Sequence, residues 1–307
     1  MMLVKRVRVG ERVRVRLRKF GVLFLRCRGL NINFYEMLMK NKLSVIFVLL
    51  FAPVIFYSCS TVPITGRSQL DLIPDNEMLS MSFQQYDQFL KSNKESTNQQ
   101  EIALVKKVGG KIAGAVEKYF AQHNLSSQLQ GYNWEFHLIE SKEANAWCMP
   151  GGKVVVYTGI LPITGTEAGL AVVLGHEIAH AVAKHGNERM SQALVTQLGG
   201  AALSQALKDK PALTQNLFMA AFGIGSQVGI LLPYSRLQES EADHLGLIFM
   251  AMAGYNPNEA LSFWQRMMSA QTGQAPPEFL SDHPSDQTRI DDIKKELPEA
   301  MKYYNSR

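Results

Sequence analysis

His176, Glu177 and His180 stand in the order H-E-x-x-H, directly after Gly175. On a helix, residues four apart share a face, so both imidazoles can meet one cation. Glu177 sits one step round, near enough to polarise a water without binding the cation itself. Neutral imidazole suits Zn²⁺, and a catalytic site takes three protein ligands with the fourth position open to water. The chemistry implied is hydrolysis, in which a water activated by the cation and deprotonated by Glu177 attacks a peptide carbonyl.

The surroundings favour a site over a helix with surface histidines. Leu170, Val172, Val173, Leu174 and Ile178 make this a core helix, where an uncompensated Glu177 would be costly. A third ligand is needed, and residues 181–187 do not offer the H-x-x-G-x-x-H arrangement. His185, five residues past His180, falls about 140° round a continuous helix. It is expected to face elsewhere, as a solvated or structural histidine. A distant carboxylate must then complete the set, and Glu239-Ser240-Glu241-Ala242-Asp243 supplies candidates. Glu239 and Asp243 share a helix face, so one can bind the cation while the other supports a ligand histidine from behind. Glu239 is the favoured ligand. Glu241 points roughly opposite and is expected in solvent.

The elements that must position these residues follow from pattern. Residues 60–74 are turn-rich and expected to be extended, a tether or a wrap. A helix is expected over 75–90, capped by Asp75, and a polar break at 91–99 follows. Ile102, Val105, Val108, Ile112 and Val116 recur at helical steps up to Phe120. Residues 132–139 and 153–157 read as strands, the second after the turn Pro150-Gly151-Gly152. Further helices are expected at 168–185, 237–253, 257–270 and 285–296. The apolar stretch 212–232 reads as a buried or surface-docked helix rather than a membrane span. The fold class is α+β: a mostly helical domain with a small sheet beside the active-site helix.

Charge separates the chain into two parts. Residues 1–58 carry a net +10 and the remainder a net −5, so the overall +5 belongs to the leader. The charge balance demotes a nucleic-acid reading of the folded body, and no nucleic-acid partner is expected. Residues 39–59 combine a short basic stretch, a 15-residue apolar run (43–57) and then Ser58-Cys59, the pattern of a secretory signal peptide. Cys59 is placed like the acylated cysteine of a bacterial lipoprotein. Residues 1–38 are expected to reflect too early a start codon and are left out of the fold. The three cysteines exclude a disulfide scaffold. Cys148 is expected as a buried small hydrophobe rather than a nucleophile. The organisation expected is a leader (1–58), a lipid-anchored tether with an N-terminal helix (59–99) and a catalytic domain (100–307).

In combination, His176-Glu177-x-x-His180 and Ser235-Arg236-x-x-Glu239-Ser-Glu-Ala242-Asp243 resemble the zinc metallopeptidase family of CAAX prenyl protease and HtpX, of gluzincin type. The resemblance runs from about residue 100 to 303. It implies a zincin-like domain holding one Zn²⁺ on His176, His180 and Glu239. It also counts Asp243 beside Glu177 as catalytic, as a proton donor or a support behind the ligands. Asn145-Ala146 with Pro150-Gly151-Gly152 is similar to the family's edge strand and turn, which implies that substrate adds to that strand by β-pairing. Thr65-Gly66-Arg67 and His283-Pro284 with Arg289 resemble the periplasmic, lipoprotein-like bacterial members. There the histidine can reach the zinc and block the water position, which makes a self-inhibited enzyme. The function implied is a zinc endopeptidase tethered to an envelope membrane, facing the periplasm, most simply at the outer membrane. Misfolded or unassembled envelope proteins are its substrates, and an adapter or the outer-membrane assembly machinery its partner. The alternatives are a chaperone or assembly factor with a latent or structural zinc site, and a nonproteolytic zinc hydrolase.

Overall fold

The computed structural model describes residues 59–63, 65–198, 211–222, 224, 236–270, 279, 283 and 287–305. Of the leader it describes two antiparallel pairings, Arg16–Leu17 with Leu23–Phe24 and Arg26–Cys27 with Leu30–Asn31. The signal segment expected at 39–58 lies outside the described residues. The chain divides into two compact units, Met1–Ser58 and Cys59–Arg307, and the following concerns the second.

The turn-rich stretch after Cys59 wraps onto the domain. Strand β1 (Cys59–Thr61) pairs antiparallel with β2 (Ser68–Leu70), and Val62, Gln69 and Ile73 are buried. Helix α1 (Asp75–Ser92) begins after Pro74, with no side-chain cap. Asp75 therefore does not serve as the expected cap; its carboxylate accepts from Lys184 Nζ at 2.5 Å. Helix α2 (Gln99–Gln122) is capped by the Asn98 side chain and buries the Val105, Val108, Ile112, Val116 stripe, as its spacing predicts.

Strands β3 (Glu135–Ile139), β4 (Ala146–Met149) and β5 (Lys153–Tyr157) form one sheet, with β5 central, parallel to β3 and antiparallel to β4. The strand expected from 132 joins the ladder only at Glu135. Before it, the Asn133 amide donates to the Gly151 carbonyl of the β4–β5 turn. That turn needs two glycines, since Gly151 and Gly152 have φ of 84° and 80°.

After a one-turn helix α3 (Leu161–Thr164), α4 (Glu167–Val182) starts at Thr166, whose hydroxyl accepts from the Gly169 amide. From Gly169 onward every residue of α4 is buried, as an apolar central helix requires. It stops three residues short of its expected end, and α5 (His185–Leu198) follows. Helix α6 (Pro211–Ala221) accounts for the start of the 212–232 stretch and buries Leu217 and Phe218. Among the described residues, no helix is long and apolar enough to cross a membrane. Helix α7 (Arg236–Ala253) packs on α4, α2 and α9 (Gln287–Asn305), and α8 (Glu259–Ser269) also meets α4. Helix α9 continues past residue 296 and through Pro298 because Ile290, Ile293, Leu297 and Ala300 keep one face buried. The architecture is the mostly helical α+β arrangement, with the small sheet against α4.

Candidate metal centre

Two helices bring the motif residues together. Gly175 of α4 and Gly246 of α7 face each other where the helices cross, and a Cβ on Gly175 would lie 2.9 Å from the Gly246 carbonyl oxygen. Only a glycine-on-glycine contact lets the backbones come this close. The crossing sets Glu239 beside His176 and His180.

His176 Nε2 lies 3.1 Å from His180 Nε2 and 3.4 Å from Glu239 Oε2, and His180 Nε2 lies 3.3 Å from Glu239 Oε1. A tetrahedral zinc with bonds of about 2.05 Å has ligand–ligand edges of roughly 3.3 Å. Two imidazoles and a carboxylate at this spacing, all buried, are a donor set that fits Zn²⁺. His283 joins the same group: its Nδ1 is 3.1 Å from His176 Nε2 and 3.0 Å from Glu239 Oε1. Its Nε2 is 3.4 Å from Glu177 Oε1. The site thus gathers four donors, with Glu177 alongside.

The groups behind the donors fix their directions. Asp243 Oδ1 lies 2.9 Å from His176 Nδ1, so a proton on Nδ1 leaves the Nε2 lone pair for the cation. Arg289 donates through Nε and Nη2 to both oxygens of Asp243, at 2.7 and 2.8 Å, and its Nη1 is 2.9 Å from Glu239 Oε2. Its guanidinium carbon lies 3.5 Å from the centre of the Trp264 ring, so packing as well as charge holds it in place. Asp243 is placed behind His176 rather than among the donors.

Electrostatics differ between the two motif histidines. Burial works against a charge on His176, yet the hydrogen bonds to Asp243 and Glu239 hold it up at about 9. Burial pushes His180 well below its ordinary value, the charge of His176 adding to it. Burial also takes His283 down to about 4. Burial would raise Asp243, but Arg289 and His176 keep it below the usual carboxylate range.

Two expectations fail here. His185 is neither solvated nor turned away from the site: it is fully buried, with Nδ1 2.9 Å from His180 Nδ1. The 140° argument assumed an unbroken helix, whereas Lys184 has φ of 59° and His185 opens the next helix. Glu241 is not in solvent either. It is buried, 3.3 Å from His185 Nε2 through Oε2, and accepts from Thr65 Oγ1 and Arg67 Nε. The turn of the β1–β2 pair covers Glu241, and the exposed positions of α7 are Arg236, Leu237 and Ser240 instead. Cys148 is buried on β4, as expected of a small hydrophobe, and burial pushes its thiol well above the ordinary value.

Comparison with known proteins fits this geometry. Residues 109–297 match the model of peptidase family M48. The mitochondrial metalloendopeptidase OMA1 of Schizosaccharomyces pombe is 42% identical over 179 residues, 57% of this chain and 50% of its own. The Bos taurus mitochondrial metalloendopeptidase OMA1 is 31% identical over 281 residues, 88% of this chain and 53% of its own. The β-barrel assembly-enhancing protease of Escherichia coli is 27% identical over 171 residues, 52% of this chain and 34% of its own. The chain spans about half the length of the OMA1 relatives. The matched region contains both helices that carry the donors, their supporting carboxylate and Arg289, and on that match the chain belongs to peptidase family M48.

Proposed function

We propose that this chain is a zinc-dependent endopeptidase, with His176, His180 and Glu239 as ligands and Glu177 as general base. The observation that carries the reading is the convergence of two imidazoles and a carboxylate at tetrahedral spacing, with Glu177 next to them. Bound zinc supplies the Lewis acidity that activates water and polarises the scissile carbonyl at neutral pH. The remaining steps belong to the chain. Glu177 takes the proton of the attacking water and returns it to the leaving amide nitrogen. Asp243 keeps the His176 ring in the ligating tautomer, and Arg289 pins Asp243 and Glu239 together. Strand β4 is one of the two outer strands of its three-stranded sheet and is the strand to which a substrate backbone would pair.

Address and substrate complete the proposal. The segment 39–59 supports export and a lipid anchor on Cys59, and the resemblance to an Escherichia coli β-barrel assembly-enhancing protease supports a place in a bacterial envelope. Misfolded or unassembled envelope proteins are the substrates proposed, with an adapter or outer-membrane assembly machinery as partner. His283 favours a second reading of the same site. It stands where a fourth ligand would, and a closed four-ligand site is latent. In that reading the chain is self-inhibited, or works as an assembly factor.

Hydrolysis of a chemically unfolded protein by the full chain, beside Glu177→Gln with zinc quantified in both, tests the proposal. Cleavage reduced by about 10²-fold or more at unchanged zinc is expected. If both bind zinc and neither cuts, the latent reading takes its place. Cleavage of small esters or amides alone would point to a nonproteolytic hydrolase.

A further inference from the structure

Thr65-Gly66-Arg67 is a motif that the proposed mechanism leaves unused. It forms the turn of the β1–β2 pair, where the Val62 amide donates to the Arg67 carbonyl and Gly66 takes φ of 63°. A Cβ on Gly66 would meet nothing within 4 Å. The glycine is therefore there for its backbone, which turns Thr65 and Arg67 toward the same carboxylate. Thr65 Oγ1 donates to Glu241 Oε1 at 2.7 Å, and Arg67 Nε donates to Glu241 Oε2 at 2.7 Å. The other end of the Arg67 fork donates to both oxygens of Glu188, at 2.9 and 2.8 Å. Gln238 Nε2 also donates to Glu188, at 2.7 Å.

This cluster continues to a proposed ligand. With His180 Nε2 turned to the cation, its Nδ1 carries the proton and donates to His185 Nδ1, 2.9 Å away. His185 then carries its proton on Nε2, facing Glu241 Oε2 at 3.3 Å. His176 has a carboxylate directly behind it, whereas His180 has a neutral histidine and then a carboxylate. Groups in such positions orient the ligand and fix its tautomer, and removing them typically costs 10–100-fold in metal affinity. Burial works against the charge on Glu241, but the hydrogen bonds from His185, Thr65 and Arg67 hold the carboxyl below its usual range.

We propose that the β1–β2 strap is part of the metal centre, with Arg67 a positioning residue that acts on His180 through Glu241 and His185. The inference rests on the zinc reading above and goes beyond it, because it couples the segment just after Cys59 to a ligand. An arginine is required. One guanidinium presents a paired face to Glu188 and a third N–H to Glu241, which a lysine ammonium cannot do in that geometry. Without it, two buried carboxylates face each other with no shared cation, and Glu241 loses its fixed position.

The test is the zinc Kd of the full chain, measured by competition with a chromogenic chelator, together with thermal unfolding of the metal-free chain. Arg67→Met and Glu241→Gln are expected to raise the zinc Kd about tenfold or more, with Arg67→Lys in between. Gln69→Leu is the control: it removes the bond from Gln69 Nε2 to the Ala183 carbonyl and loosens the same strap without touching Glu241. It should lower the unfolding temperature and leave the Kd within twofold. If Arg67→Met and Glu241→Gln lower the unfolding temperature in the same way with unchanged Kd, the strap is only structural and the inference fails. A wild-type chain that binds no zinc overturns the inference and the zinc reading together, an outcome distinct from equal affinities throughout.

Discussion

Replacing Gly175 by alanine adds one methyl group where α4 and α7 touch. The new Cβ would lie 2.9 Å from the Gly246 carbonyl oxygen, whereas ordinary contact begins at 3.4 Å. The neighbour is backbone, so no rotamer change relieves the overlap and the helices must separate by about 0.5 Å. Overpacking of this kind costs about 1–3 kcal/mol, offset by about 1 kcal/mol from replacing a helical glycine. A net loss of about 1 kcal/mol is expected in urea unfolding of the metal-free chain. The larger effect falls on the metal. Glu239 and Asp243 ride on α7 and the histidines on α4, so the separation exceeds the roughly 0.2 Å tolerance of zinc–ligand distances. Zinc affinity should fall about tenfold. Gly246→Ala tests the same contact from the other side, where its Cβ would lie 3.0 Å from the Gly175 carbonyl carbon and the His176 nitrogen. Gly110→Ala and Gly114→Ala on α2 are controls: nothing lies within 4 Å of either Cβ, so each should stabilise by about 0.5–1 kcal/mol. A Gly175→Ala chain that gains stability like these controls, with unchanged zinc affinity, refutes the reasoning.

Three further outcomes are expected. His283→Ala removes the fourth donor and should raise proteolysis several-fold with one zinc retained; an unchanged rate at unchanged metal content counts against His283 as a block. Asp243→Asn takes the carboxylate from His176 Nδ1 and should weaken zinc binding about 10–100-fold in equilibrium dialysis; unchanged affinity would show that Asp243 serves only Arg289. Cys148, buried with its thiol pushed well above the ordinary value, should resist alkylation at pH 8 until urea is added. Modification of the native chain at Cys148, read by peptide mass spectrometry, would contradict that burial.

What the sequence made legible was whatever depends on local periodicity. The stripe from Ile102 to Val116 specifies α2, and the apolar run around His176 specifies a helix buried on all sides. The Pro150-Gly151-Gly152 turn marks the reversal between β4 and β5. The pairing of Glu239 with the histidines was legible because a two-histidine motif lacks a ligand and few carboxylates downstream share a helix face. Where α4 ends was not legible. Helices usually end on a glycine in the left-handed conformation, but here Lys184 occupies it with φ of 59° and the nearest glycine is Gly186. Nothing local distinguishes a helix through His185 from one that breaks and restarts there.

The misplacement of Glu241 has a different origin. Two residues on, a helix has turned about 200°, so an acidic residue at that step from Glu239 reads as solvent-facing. That reading holds for a helix with one covered side. Helix α7 is covered at both positions: Glu239 faces the α4 histidines, and the strap at residues 59–70 takes Glu241, while Arg236, Leu237 and Ser240 hold the exposed face. Arg67 and Glu241 are 174 residues apart, too far for any periodicity to connect them. The sign that could have raised the question is in the same helix, where Gln238, Glu239, Glu241, Ala242 and Asp243 are all buried. A third buried carboxylate on one helix needs a cation of its own. Arg289 serves Asp243 and Glu239 on one side, which leaves the other side to an arginine from outside the helical core. The wrap of residues 60–74 follows from the charge that α7 carries on its far face as much as from the apolar contacts of Val62 and Ile73.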